Sequence, residues 1–299
     1  MPELPDVELY RHALRSRVVG NVLEGIRLVS PFVLRSVDPS IDAVAGKRVL
    51  NVRRLGKRLV FVLEDELYIV LHLMIAGRLR WKAPEHEIPG RVGLGAFDFA
   101  SGTLLLTEAS KKKRAALHVC RGEDALLEHD PGGIEPLEID DTRFRDALVE
   151  RNHTVKRALT DPRIFSGIGN AYSDEILHRA KLSPLIWTER LTEEQARRLH
   201  GATREVLSEW VARLLAQHGD DFPEKVTAFR PEMAAHGKYG EPCPVCGDPI
   251  QRIVFAARET NYCATCQTGG KLLADRALSR LLKGDWPRSL EELESLHRG

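Results

Sequence analysis

Two groups of residues in this 299-residue chain have types and spacing that admit chemistry. The first lies in CPVCGDPIQRIVFAARETNYCATC, where Cys243, Cys246, Cys263 and Cys266 form two C-x2-C pairs separated by sixteen residues. Four thiolates at this spacing close a tetrahedral zinc site and leave no position open for a substrate. Such a site contributes folding free energy and presents the loop between the pairs; it performs no reaction itself. A thiol–disulfide enzyme needs a single reactive pair, so the paired spacing disfavours it. The fifth cysteine, Cys120, stands apart. The second group is the N-terminal MPELPDVE. A small second residue permits removal of the initiator Met1, which leaves the free amine of Pro2 beside the carboxylate of Glu3. Terminal residues are mostly poorly ordered, so in isolation this pair reads first as flexible filler.

Three further stretches suit phosphate. Arg258, between the cysteine pairs, is placed to enter a groove or meet a phosphate, or simply to stay solvated. KKKR, Lys111 to Arg114, is either a phosphate patch or a soluble turn. GIGNAYSDEIL, Gly167 to Leu177, sets two glycines before Asn170 and a helical stretch. The backbone N–H groups of such a turn suit an anion, although glycines also join many ordinary helix pairs.

Composition narrows the class. With 43% apolar and 29% charged residues the chain reads as an ordinary globular protein of two or three domains. Its formal charge of +1 means that a nucleic-acid partner has to be met by local basic patches. No apolar run reaches the roughly 20 residues of a membrane span, and the N-terminus lacks the plan of a signal peptide. A cytoplasmic enzyme or binding protein is expected, and four clustered cysteines then point to metal rather than disulfides.

The elements that position these residues follow from periodicity. After Pro5, residues Val7, Tyr10, Leu14 and Val18 recur at helical spacing, Asp6 and Glu8 suit the positive first turn, and Gly20 is a natural stop. LVFVL (59–63), EDE and LYIVLHL read as a hairpin; AFDFA and TLLLTE around Ser101-Gly102 read as another. Residues 1–130 are therefore a strand-rich domain with an N-terminal helix. DPGGIEPLEIDD places a linker at 131–141. Residues 142–236 are helical: Thr192 and Gln195 form a capping box for a helix whose apolar face includes Leu199, Val206, Trp210 and Leu214. Residues 237–268 form the metal-binding finger, with Gln251–Ala256 and Glu259–Tyr262 as a hairpin tipped by Ala257 and Arg258. In the extension 269–299, Leu272, Leu273, Arg276, Ala277, Arg280 and Leu281 predict an amphipathic helix, with a second helix start at Ser289–Glu292. Packing against the finger is its expected role.

Taken in order, PELPDVE, Lys57 in RRLGKRLV, HLMIAG, GIGNAYSDE and the four-cysteine finger resemble the formamidopyrimidine-DNA glycosylase / endonuclease VIII (Fpg/Nei) family over residues 1 to about 268. The resemblance implies an α+β multidomain fold: an N-terminal β-sandwich-like domain with flanking helices, a helix–two-turn–helix domain and a C-terminal zinc finger with one structural zinc. It implies a monomer acting on damaged double-stranded DNA as a bifunctional glycosylase and abasic-site lyase of base-excision repair. Pro2 would attack C1′ of the damaged nucleotide, and the resulting iminium would serve as the electron sink for base loss and strand elimination. Glu3 would be general acid and base at the sugar. Lys57 would hold phosphate or assist proton transfer, and Asn170 and Arg258 would bind phosphate.

The chain also departs from the family's formamidopyrimidine branch. That branch has HLGMSG, whose Met wedges into the gap left by the flipped nucleotide; here Ile75 stands at that position, after Met74. Its Arg-Arg-Phe segment is replaced by TEASKKKRAAL, which offers Lys112, Lys113 and Arg114 and no Phe. The loop that covers oxidised guanine is short, and some thirty residues follow Cys266. These differences predict ready cleavage at abasic sites and weak excision of 8-oxoguanine. The rival reading is a catalytically silent zinc-finger DNA-binding protein on the same scaffold, which would have no need of Pro2, Glu3 and Lys57.

Overall fold

The computed structural model describes residues 1–255, 258–274, 287–290 and 292. They fall into two compact units, Met1–Gly133 with Ser208–Ala228 and Ile134–Leu207 with Phe229–Gly299. The first opens with helix α1, Leu4–Val18, in which Val7, Tyr10, Leu14 and Val18 are buried along the predicted face. Pro5 sits in the first turn, where a missing N–H costs nothing. The helix ends two residues before Gly20, which adopts φ +84°.

Strands β1 (Val22–Leu28), β2 (Lys47–Leu55), β3 (Arg58–Leu63), β4 (Leu67–His72), β5 (Gly77–Lys82), β6 (Gly93–Phe99), β7 (Gly102–Glu108) and β8 (Ala116–Arg121) follow, and α2 (Glu123–Leu127) closes the run. The strand order is β5-β7-β6-β1-β2-β3-β4-β8, with antiparallel pairing throughout. β1 and β2 share only the pairs Val22↔Arg48 and Leu23↔Lys47, so the ladder divides there into two four-stranded halves. Phe61 of one half stacks on Phe97 of the other at 5.7 Å, the sandwich-like core that the family resemblance implied. Both predicted hairpins are present, as β3–β4 and β6–β7. Asp65 and Glu66 take positive φ in the first, as a tight hairpin turn demands.

The second unit contains α3 (Asp141–Val149), α4 (Val155–Thr160), α5 (Asn170–Arg179) and the beginning of α6 (Glu193–His218). The predicted capping box starts α6: Thr192 Oγ accepts from the Gln195 N–H at 3.2 Å, and Gln195 Oε1 accepts from the Thr192 N–H at 3.0 Å. Leu199, Val206, Trp210 and Leu214 are buried as expected. From Ser208 the helix belongs to the first unit, where Phe222, beyond its end, packs against Tyr10 and Trp81.

The finger forms the predicted hairpin, β9 (Ile250–Phe255) with β10 (Arg258–Cys263), followed by α7 (Ala264–Thr268). Arg258 opens β10 opposite Phe255 instead of standing at the tip; Ala256 and Ala257 lie outside the described residues. Most of the amphipathic helix expected after Leu273 also lies outside them. What is described of the extension packs on the finger, as expected. Leu272 is buried with Ile253, Tyr262 and Ala264, Leu290 packs against them, and the Leu273 N–H donates to the Tyr262 hydroxyl at 2.8 Å. Ser289 Oγ accepts the Glu292 N–H at 3.3 Å, the bond expected of a helix start there.

Candidate catalytic, phosphate-binding and metal sites

The N-terminus is ordered, against the reading of Pro2 and Glu3 as filler. Both are buried, Glu3 to 3% exposure. The cause is a capping box the sequence reading missed: Asp6 Oδ2 accepts from the Glu3 N–H at 3.0 Å while the Glu3 carboxylate takes the Asp6 N–H. Helix α1 thus fixes the carboxylate beside the chain's first residues. The α-amine, carried by Met1, is pushed below its ordinary range by burial, opposed by Glu3 and aided by Arg78; Asp6 opposes and Lys57 aids more weakly. Two anions and two cations therefore act on the amine at this end of the chain.

Lys57 occupies the turn between β2 and β3, where Gly56 takes φ +59°. A second layer holds that turn: Arg54 donates to the Gly56 carbonyl at 3.1 Å and to Glu8 of α1 at 2.7 Å, and Glu8 also takes Arg11. One helix, α1, therefore positions both Glu3 and the lysine turn. From sequence Glu8 reads only as a favourable charge near the start of α1 and Arg54 as a solvated strand residue, so their pairing shows only once α1 packs beside β2.

The segment after β4 carries Met74 and Ile75, the apolar residues expected at the wedge position. Ile75 is 62% exposed at the apex of a turn closed by Gly77 N–H to the Leu73 carbonyl at 2.9 Å. Met74 is half-buried and takes φ +52°, a conformation that costs a side chain roughly 1–2 kcal/mol. The structure thus presents Ile75 rather than Met74. Arg78, another residue the sequence reading passed over, donates to the Ile75 and Gly77 carbonyls at 3.2 and 2.7 Å. In the basic loop, Lys112 and Arg114 are exposed, whereas Lys113 turns inward and donates to the Glu108 carbonyl. The buried Glu108 carboxylate closes this loop by accepting the Arg114 and Ala115 N–H groups at 2.8 and 2.9 Å.

In the second unit, Asn170 is the first residue of α5, and Gly167 before it adopts φ +80°. Its amide donates to the Glu259 carbonyl at 2.8 Å, which brings Asn170 beside the strand that Arg258 opens. Lys156 donates to the Asn170 carbonyl and Ser173 hydroxyl at 3.1 and 3.0 Å and pairs with the fully buried Asp174.

The four cysteine sulfurs lie within 4.8 Å of one another, with 3.9 Å between Cys243 and Cys266 and 3.4 Å between Cys246 and Cys263. Sulfurs at about 2.3 Å from one tetrahedral ion stand nearly 4 Å apart, so the set fits zinc. Burial raises the Cys243, Cys263 and Cys266 thiols, and only at Cys243 do the Cys246 and Val245 amides and the neighbouring thiols outweigh it and hold the thiol below its ordinary value. Cys120 is buried in the sheet domain with its thiol pushed up to about 11 by burial, so it remains an inert thiol.

The chain matches three family models in order: the formamidopyrimidine-DNA glycosylase N-terminal domain over residues 1–118, its H2TH domain over 133–217, and a zinc finger found in FPG and IleRS over 240–269. It is 36% identical over 278 residues to the formamidopyrimidine-DNA glycosylase of Thermus thermophilus, covering 90% of this chain and 100% of the relative. The Heliobacterium modesticaldum protein of the same name is 34% identical over 276 residues, covering 89% and 100%. Among solved structures, a Lactococcus lactis FPG mutant in complex with a Fapy-dG containing DNA superposes with a TM-score of 0.78 at 27% identity, covering 89% of this chain and 100% of that one. The sandwich-like domain, the glycine turn before Asn170 and the four-cysteine finger occur together because this chain belongs to the formamidopyrimidine-DNA glycosylase family.

Proposed function

We propose that the chain is a DNA glycosylase of base-excision repair that also nicks the strand at the resulting abasic site. The observation that carries this reading is the ordered, buried N-terminus, where the capping box fixes the Glu3 carboxylate directly beside Pro2. Removal of Met1 exposes the Pro2 secondary amine. Its lone pair attacks C1′, and the damaged base leaves with the electrons of the glycosidic bond and takes a proton from water. The Glu3 carboxylate takes the proton from the Pro2 nitrogen and passes it to the ring oxygen; the freed nitrogen lone pair forms the C1′=N bond as C1′–O4′ breaks, which leaves a positively charged iminium on Pro2. That cation acidifies C2′–H, so proton loss there expels the 3′ phosphate. Lys57 holds a flanking phosphate, Asn170 and Arg258 hold others, Ile75 fills the gap left by the flipped nucleotide, and Lys112 and Arg114 line the backbone. One zinc held by Cys243, Cys246, Cys263 and Cys266 stabilises the finger. A silent DNA-binding protein would not need a buried carboxylate fixed beside its terminal amine.

The test is borohydride trapping on duplex DNA carrying an abasic site, with intact mass measured on the same preparation. Mature protein lacking Met1 should form a covalent adduct at Pro2, and a variant with an extended N-terminus should not. Strong strand cleavage by protein that retains Met1 would refute the role of Pro2.

A further inference from the structure

Helix α5 turns one face toward the metal-binding segment. Asn170, Asp174 and His178 recur every four residues along it, with Glu175 adjacent, and such positions share a side of a helix. Each is engaged. Asn170 reaches the Glu259 carbonyl, and Asp174 Oδ2 lies 2.7 Å from His236 Nδ1. Glu175 accepts the Ala234, Ala235 and His236 N–H groups at 2.8–2.9 Å. The fourth contact bears on the metal site itself. His178, 5% exposed, places Nε2 at 3.2 Å from Cys243 Sγ.

Four sulfurs complete a tetrahedral ion, so the imidazole has no place as a further ligand. Four thiolates on one dication retain excess negative charge on sulfur. A buried N–H directed at one of them draws off part of that charge, and outer-shell donors of this kind typically alter metal affinity 10–100-fold. We infer that His178 is a positioning residue of the finger: as the Nε2–H tautomer it donates to the Cys243 thiolate, tying metal retention to the helix whose first residue is Asn170. The inference rests on the zinc reading and deepens it. It explains why a histidine occupies a buried position on a helix face that would otherwise carry an apolar residue.

The experiment uses the full chain loaded with zinc or cobalt, in wild type, His178→Gln and His178→Phe. Gln keeps an N–H donor; Phe fills the space without one. With Phe, zinc transfer to a competing chelator should quicken about tenfold or more, and the thiolate-to-cobalt absorption band should shift. Gln should restore both toward wild type. Equal behaviour of Phe and wild type would overturn the inference, as would equal losses with Gln and Phe, which would make His178 a space-filler. A measurement on wild type alone guards against misfolded variants: with cadmium-113 in the site, the His178 Nε2 proton should show a coupling to the metal through sulfur. A wild-type protein with the proton on Nδ1 would refute the assignment. Failure of the wild type to bind any of these metals would instead refute the zinc site itself.

Discussion

His72 lends itself to a quantitative test of how the first unit responds to acid. It ends β4 directly opposite Arg58. Burial, followed by repulsion from Arg58, Lys57 and His118, lowers its pKa from 6.5 to about 4. An unfolded chain releases the imidazole to its ordinary value, so between those limits the unfolded state binds the extra proton and folding is penalised as pH falls. Each pH unit across that window is worth about 1.4 kcal/mol, so the full interval removes about 3 kcal/mol of stability by pH 4. Against a total of roughly 5–15 kcal/mol for a domain, that is a large fraction. His72→Gln cannot take the proton and should lose stability less steeply. Urea unfolding at pH 7, 6, 5 and 4, read from the exchange protection of the β3 and β4 amides, should show two curves separated by a constant packing cost above pH 7 that converge or cross below pH 5. His118 and His129, whose values burial also lowers, add to the residual slope in both proteins. Parallel curves across the whole range would show that His72 does not titrate between these limits in the way its surroundings require.

Three other outcomes follow from the site. Glu8→Gln removes the charge from a nearly buried contact with Arg54 and should cost about 2 kcal/mol of stability; because Arg54 holds the Lys57 turn, strand cleavage should fall more than duplex binding, which paired nicking and binding assays would resolve. Arg258→Ala should weaken damaged and undamaged duplexes alike and lower the slope of log affinity against log salt by about one, and an unchanged slope would remove it from the phosphate contacts. Single-turnover rates on matched duplexes should rank abasic sites first and 8-oxoguanine opposite cytosine low: two lost base contacts at roughly 1–3 kcal/mol each amount to a hundredfold or more, and an 8-oxoguanine rate above that of oxidised pyrimidines would show that Ile75 and the lysine-rich loop do not carry the preference.

What the sequence alone determined is what short-range chemistry governs. The C-x2-C pairs declared a tetrahedral thiolate site because the four ligands arrive in two local knuckles. Thr192 and Gln195 announced the start of α6, and the alternating runs announced the β3–β4 and β6–β7 hairpins, because caps and tight turns are settled within a few residues. The ordered motifs then carried the family resemblance. Tertiary structure decided the rest. That Pro2 and Glu3 are buried and ordered instead of loose depended on packing, which no terminal residue discloses by type. The link from Glu8 through Arg54 to the Lys57 turn joins residues nearly fifty positions apart, and the contact of His178 with Cys243 spans sixty-five. Met74 and Ile75 read as interchangeable apolar neighbours until the backbone put one in a left-handed turn and left the other exposed. Periodicity reports which face of an element is buried; which charged groups meet there is fixed only when distant elements pack, because a buried charge must find its partner wherever the fold brings one.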